Sequence, residues 1–386
     1  MASDRFAGDL LIVAGEASGD LHGARLLTAL RKRDPELRTF GLGGQELQAT
    51  GTDLLAQSSE ISVVGITEVL KVLPRARQIY HEILDEVDRR HTRTALLIDF
   101  PDFNLRLAKA LVRRGVRVLY YISPQVWAWR RGRVRTIARL VDRMLVILPF
   151  EVDFYRRHGV AAIHVGHPLV DEVPQLAQRW DLGPPENEPF TIALLPGSRA
   201  SEIAANLPEM LAGAALLKAK LPCKFLLIKA PTVREEALAE QVGRFDLELE
   251  IINHNRFAAI ADTHLAICAS GTATLEVGLL RTPMVMVYRV SAWTYLLGRL
   301  LVRLPHIALV NLVLSERVVP ELLQKQATAT TIAQAAQDIL SDRDRIRSMQ
   351  EKLATLRSRL GESGASERAA AQVWRDLDAK REITCS

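Results

Sequence analysis

A cadence repeats along most of this chain: a short apolar run, a turn rich in glycine or proline, then an amphipathic helix. Leu10 to Ala14, Ala95 to Ile98, Val116 to Ile122, Met144 to Leu148 and Ala162 to Val165 read as strands of this kind. Strands joined through helices run the same way, so the cadence predicts parallel sheets with helices on both faces. The segment Trp180 to Phe190 carries three prolines and reads as a linker. The cadence then restarts with Thr191 to Leu195, a helix over Ser201 to Lys220, and further strands ending at Met284 to Tyr288. The final stretch, Thr330 to Lys380, reads as helical throughout. The expected organisation is therefore α/β, with Rossmann-like domains over 1–179 and 191–365, a linker at 180–190, and a cleft between the halves. Ligands of open α/β sheets bind beyond the carboxyl ends of the strands, so the residues just after each strand are the candidates.

Composition narrows the function classes. Apolar residues make up 48 % and charged residues 25 % of 386, which excludes disorder as the main state. The net charge of +5 suits an anionic substrate or membrane surface and is too small to imply nucleic acid. Ten basic and six acidic residues lie between Arg343 and Arg381, so the last helices carry most of the excess. Three scattered cysteines without CxxC spacing argue against disulfides and zinc and point to a reducing cytosol. The longest charge-free run, Thr263 to Leu275, has 13 residues, short of the ~20 a spanning helix needs. The first residues lack a cationic region, so no signal peptide is expected.

The turns after the strands hold the chemistry. GEASGD places Gly15, Glu16, Ser18 and Gly19 before a helix expected to begin near Asp20 or Leu21, with His22 in the same turn. Its two glycines allow close backbone approach to a ligand; the alternative is an ordinary turn capped by Ser18 or Asp20. IDFPDFN puts Asp99 at a strand end, where a carboxylate can take a proton from a hydroxyl nucleophile. Asp102 then caps the next helix, unless both aspartates are caps. In SPQVWAWR, Trp127 forms either a wall for a sugar or acyl chain or the packing of its own loop. PGSR sets Gly197 and Ser198 at a helix N-terminus, and Arg199 adds a planar fork for phosphate. SGTATLE sets Ser270, Gly271 and Thr272 where amides and hydroxyls can meet a pyrophosphate, with Glu276 placed to hold a ribose diol. The Asp342/Asp344 and Asp376/Asp378 pairs read as solvated faces, and no metal site or cofactor motif is predicted. Two amphipathic stretches, Ile66 to Arg77 and Ser291 to Leu309, mix aliphatics with cations. In the first, Ile66, Val69, Leu70 and Leu73 form one helical stripe, which is either core or an interfacial surface.

Taken together and in this order, GEASGDLHGA, IDFPDFN, SPQVWAWR, LPFE, VGHPL, LLPGSR and SGTATLE resemble the lipid-A-disaccharide synthases, GT-B glycosyltransferases of Gram-negative envelope synthesis. The resemblance implies a donor, UDP-2,3-diacylglucosamine, and an acceptor, 2,3-diacylglucosamine 1-phosphate, joined β-1,6 with release of UDP. It implies an inverting single displacement that needs no metal, on a cytoplasmic enzyme held at the inner-membrane surface; a homodimer is among the assemblies it allows. By the same resemblance Asp99 is the essential aspartate, Arg199 the donor-phosphate arginine and Glu276 the ribose-binding glutamate. Asn311 matches a functionally important asparagine, although Val310 precedes it where proline is usual. GEASGD is assigned to the acceptor side, and the C-terminal helix within 366–386 is expected to pack back on the N-terminal domain. The rival enzymes are another GT-B transferase with a polyprenyl acceptor and a UDP-GlcNAc 2-epimerase; a noncatalytic nucleotide- or lipid-binding module would leave Asp99 without a role.

Overall fold

The structure is a computed structural model that describes residues 8–61, 66–128, 132–176, 188–230, 233, 235–290 and 304–378, the side chains of 66–71, 235–237, 239 and 378 excepted. Residues 180–187 of the expected linker, 291–303 of the second amphipathic stretch, and the side chains of Ile66, Val69 and Leu70 lie outside the described residues. The chain divides into two compact units, Met1–Pro168 with Gly361–Ser386, and Leu169–Leu360.

The first unit holds seven parallel strands: β1 (Asp9–Ala14), β2 (Arg38–Gly43), β3 (Asp53–Gln57), β4 (Thr94–Ile98), β5 (Arg117–Tyr121), β6 (Arg143–Val146) and β7 (Ala162–His164), in the order β3-β2-β1-β4-β5-β6-β7. Every residue of β1 and β4 is buried, because a parallel sheet covered on both faces leaves neither side of a central strand in water. Alternate residues go to opposite cores. Leu11, Val13, Ala95 and Leu97 face one cluster; Leu10, Ile12, Leu96 and Ile98 face the other. The second cluster also takes Leu26, Leu27 and Leu30 of the helix Ala17–Arg31, and Ala369, Ala370, Val373 and Leu377 of the last helix, Ala365–Asp378.

That last helix is tied at its end by Asp376, only 4 % exposed. Its carboxylate takes Arg117 Nη2 at 2.9 Å and Arg143 at 3.2 Å, at the starts of β5 and β6. The reading of Asp376 as a solvated face is thus corrected: two guanidinium groups make its burial tolerable. The helical stretch expected from Thr330 consists of four helices, Ala329–Leu340, Arg343–Ala354, Leu356–Leu360 and Ala365–Asp378. Asp342 caps the second by accepting from Arg345 N at 3.0 Å, and Gly361 and Gly364, both at positive φ, separate the last two.

The second unit holds six parallel strands: β8 (Phe190–Leu195), β9 (Cys223–Ile228), β10 (Leu249–Ile252), β11 (Leu265–Ala269), β12 (Met284–Tyr288) and β13 (Glu321–Leu323), ordered β10-β9-β8-β11-β12-β13. In each sheet the chain first winds outward one way and then returns to build the other way. The reversal falls between β1 and β4 in the first unit and between β8 and β11 in the second. Among the described residues, no helix is long and apolar enough to cross a membrane.

Candidate active site

Both reversals are topological switch points, where loops depart to opposite faces and leave a crevice at the carboxyl ends of the strands. In the first unit Ala14 lies opposite Ile98 in the register, so Gly15 and Asp99 leave the sheet side by side. In the second, Cys268 lies opposite Leu195, so the PGSR and SGT turns also leave as neighbours.

The GEASGD turn is tighter than its sequence suggested. The helix begins at Ala17, and Asp20 in its first turn does not cap it. The buried Asp20 carboxylate instead accepts from the amides of Gly44 (2.6 Å), Glu46 (3.0 Å) and Leu47 (3.1 Å), capping the next helix, Gln45–Ala49. Gly15 also serves internal packing, whereas a Cβ on Gly19 would meet only ordinary van der Waals contact. A Cβ on Gly15 would fall 2.2 Å from the Phe100 ring, and one on Gly19 would lie 3.5 Å from Ile98. Glu16 and Ser18 are exposed at the strand end, and His22 is half-buried. His167, from the VGHPL segment, is buried in the same unit, and desolvation, followed by the fields of His22 and His164, pushes its pKa down to about 3.

Asp99 is the first residue beyond β4. It has φ +45° and Phe100 has φ +48°, two consecutive non-glycine residues in the left-handed region. Such backbone is disfavoured for residues bearing a Cβ, and it gathers at functional sites. Asp99 N donates to Tyr121 O at 3.0 Å. Its carbonyl accepts from Asn104 Nδ2 at 2.8 Å and from the Tyr120 hydroxyl. Asn104 and Tyr120 were not singled out by sequence. The capping role expected of Asp102 is not observed: Phe100 occupies the position before the helix Pro101–Arg113, and the exposed Asp102 pairs with Arg133.

Trp127 packs its own loop and does not stand as a wall. It is buried, its ring meets Phe150 edge-on at 4.9 Å, and its Nε1 donates to Glu151 Oε1 at 2.9 Å. Glu151 of the LPFE segment is 1 % exposed. It also accepts from Ser123 Oγ (2.8 Å) and Leu148 N (3.1 Å), and Ser123 Oγ lies 3.0 Å from the Tyr155 hydroxyl. Burial raises the Glu151 pKa to about 7 against the opposing pull of these donors. This buried carboxylate secures the loop that follows β5.

In the second unit Gly197 and Gly271 leave their strands with φ +118° and +127°, values that suit glycine. Ser198 and Arg199 are exposed at the start of the helix Ala200–Lys218. The loop already holds an anion from its own chain: Glu202 accepts from Ser198 N (3.2 Å), Arg199 N (3.4 Å) and Arg199 Nη1 (2.9 Å). A glutamate three residues into a helix is the spacing that could have revealed this contact. Ser270 and Gly271 are half-buried and Thr272 is exposed at the start of the helix Thr272–Leu279. Glu276, in that helix, is buried, with Arg256 Nη2 at 3.1 Å from Oε1. Burial raises its pKa while Arg256 opposes the rise.

Asn311 lies apart from these turns, in the helix Leu309–Leu314. It is wholly buried and all of its amide is engaged. Nδ2 donates to Val319 O (2.9 Å) and Glu321 Oε1 (2.8 Å), while Oδ1 accepts from Val318 N (2.9 Å) and Val319 N (3.0 Å). These bonds tie Asn311 to the segment entering β13. Glu316 pairs with Lys352, and Arg317 is exposed.

A sequence model of the lipid-A-disaccharide synthetase family matches residues 10–374. The chain belongs to that family. It is 47 % identical over 369 residues to the lipid-A-disaccharide synthase of Myxococcus xanthus, covering 94 % of this chain and 96 % of the relative. The synthase of Syntrophus aciditrophicus is 45 % identical over 366 residues, at 94 % and 96 % coverage. Lipid-A-disaccharide synthases are hexosyltransferases that condense UDP-diacylglucosamine with diacylglucosamine 1-phosphate, so the chain is a glycosyltransferase of lipid A biosynthesis. Its fold is GT-B. The MurG structure of Acinetobacter baumannii aligns with a TM-score of 0.59 at 12 % identity, covering 95 % of this chain and 98 % of MurG. The UDP-GlcNAc 2-epimerase of Neisseria meningitidis bound to UDP-GlcNAc aligns at 0.57 and 10 %, covering 91 % and 97 %. At these identities the likeness is of fold alone, and the family match separates the synthase reading from the epimerase and polyprenyl-acceptor readings.

Proposed function

We propose that Asp99 is the general base of the condensation, with the acceptor held by the first unit and the UDP-sugar donor by the second. The observation that carries this reading is the placement of Asp99, which leaves β4 beside Gly15 at the reversal of the first sheet in a strained left-handed conformation. Asp99 takes the proton of the acceptor's 6-hydroxyl as that oxygen bonds to the donor's anomeric carbon. The bond from that carbon to the diphosphate breaks, and UDP departs with the electron pair. A single displacement inverts the anomeric centre and forms no covalent enzyme intermediate.

Arg199 and the amides following Gly197 and Gly271 stabilise the charge that gathers on the diphosphate. The Glu202 carboxylate held by this loop supports its capacity for an anion. Glu276 holds the ribose once Arg256 shares it. Glu16, Ser18 and His22 line the acceptor side. The helix Ile66–Arg89 docks on the inner-membrane surface and admits acyl chains near Leu73, which is 50 % exposed. The Asp99→Asn variant tests the assignment. It should bind UDP as the parent does and lose about 10²–10⁴-fold in turnover, the usual contribution of a general base. Near-parental turnover would move the base elsewhere, with His22 the next candidate.

A further inference from the structure

Two adjacent left-handed residues with side chains persist only where the surroundings over-determine them. Three elements converge on Asp99 and Phe100. The β5 strand accepts the Asp99 amide at Tyr121 O. The helix Pro101–Arg113 sends back the wholly buried Asn104, whose Nδ2 donates to Ile98 O (3.2 Å) and Asp99 O (2.8 Å), carbonyls beyond the reach of the helix's own amides. From β5 the Tyr120 hydroxyl reaches the same Asp99 carbonyl. The turn after β1 admits the Phe100 ring against Gly15, where no larger residue fits.

Asn104 and Tyr120 therefore grip the peptide that joins the two left-handed residues, and with the Asp99 amide held by Tyr121 O this fixes where the Asp99 side chain leaves the backbone. Without their donors the Asp99 carbonyl would turn toward other partners, and the left-handed pair would relax toward the ordinary β or α regions. That relaxation would swing the Cα–Cβ bond of Asp99. We propose that Asn104 and Tyr120 are positioning residues for glycosyl transfer, holding the Asp99–Phe100 backbone left-handed so that the Asp99 carboxylate meets the acceptor hydroxyl. This rests on the reading of Asp99 as the base.

The test is a kinetic cycle on the full-length enzyme with Asp99→Asn, Asn104→Leu, Tyr120→Phe and the double variants that combine Asp99→Asn with each of the others. Misplacing a catalytic group by about an ångström costs up to ~10²-fold. Asn104→Leu should accordingly lower kcat roughly 10- to 100-fold, and Tyr120→Phe somewhat less, with donor KM and UDP affinity held within about twofold. In the Asp99→Asn background neither substitution should lower kcat further, because the group being aimed is already gone. An equal further loss in that background would reveal a merely structural role and overturn the proposal. Parental kcat in both single variants would overturn it as well. Parental turnover in Asp99→Asn alone is a separate result that removes the base assignment itself. If Asn104→Leu fails to fold, Tyr120→Phe, which deletes a single hydroxyl, carries the same cycle.

Discussion

Replacing Glu151 with glutamine should abolish a specific pH dependence of stability. The carboxyl is fully buried, and burial lifts its pKa to about 7 in the native state from an ordinary value of 4.5. The difference corresponds to about 3 kcal/mol. Its sign follows from which state binds the proton more tightly. Below roughly pH 4.5 both states are protonated and the group contributes nothing to the dependence. Between 4.5 and 7 the unfolded chain releases its proton while the native protein retains it, so stability falls as pH rises, by at most about 1.4 kcal/mol per pH unit. Above 7 the curve flattens. Glu151→Gln retains an oxygen to accept from Ser123 and Trp127 but sets an amide N–H against Leu148 N. The variant should thus be weaker overall, and the diagnostic quantity is the slope. Urea unfolding at pH 5, 6, 7 and 8, followed by tryptophan fluorescence, gives the difference between parent and variant. That difference should shrink by roughly 2–3 kcal/mol from pH 5 to 8. Parallel curves would mean that the carboxyl keeps an ordinary pKa and that the Ser123–Trp127 loop does not desolvate it.

Two further outcomes test the substrate assignments. Arg199→Ala and Glu276→Ala should each weaken UDP binding about 10- to 100-fold by calorimetry, the range for charge-assisted hydrogen bonds; unchanged affinity in both would remove the donor from the second unit. Leu73→Ser, alone and with Leu70→Ser, should reduce flotation with anionic vesicles while UDP affinity and melting temperature hold. A fall in melting temperature would return this stripe to the core, where such truncations cost roughly 2–5 kcal/mol.

What could be read from the sequence follows from how local each signal is. β1, β4, β8 and β11 carry runs of four or five apolar residues because both faces of a central parallel strand are covered, and the candidate turns follow from them. β2 was missed because RTFGLG carries two glycines. One of them, Gly41, has φ +145° and leaves space that a Cβ would fill at 2.0 Å from Ile12 O. β3 and β13 are short edge strands with polar residues. Glycines were legible as necessary, but the partner was not: nothing in GEASGD announces the Phe100 ring. The residues that brace the site were hidden for the same reason. Ser123 meets Glu151 across 28 positions, Tyr120 meets Asp99 across 21, and Arg117 meets Asp376 across 259. A lone polar residue in a strand or loop gives no local sign of a distant partner. Trp127 shows the converse case: its place beside a strand end left a ligand wall and a packed loop both open, and the indole bond to Glu151 selects the packed loop.

In the proposed reaction the chain transfers a diacylglucosaminyl group from UDP to an acylated sugar phosphate, with Asp99 as base. UDP release from UDP-2,3-diacylglucosamine, measured with and without 2,3-diacylglucosamine 1-phosphate and coupled to mass analysis of the lipid product, tests it most directly. Release should depend on the acceptor, match the tetraacyl disaccharide 1-phosphate mole for mole, and fall steeply in Asp99→Asn while UDP binding persists. UDP release that ignores the acceptor, or proceeds without disaccharide, would contradict it.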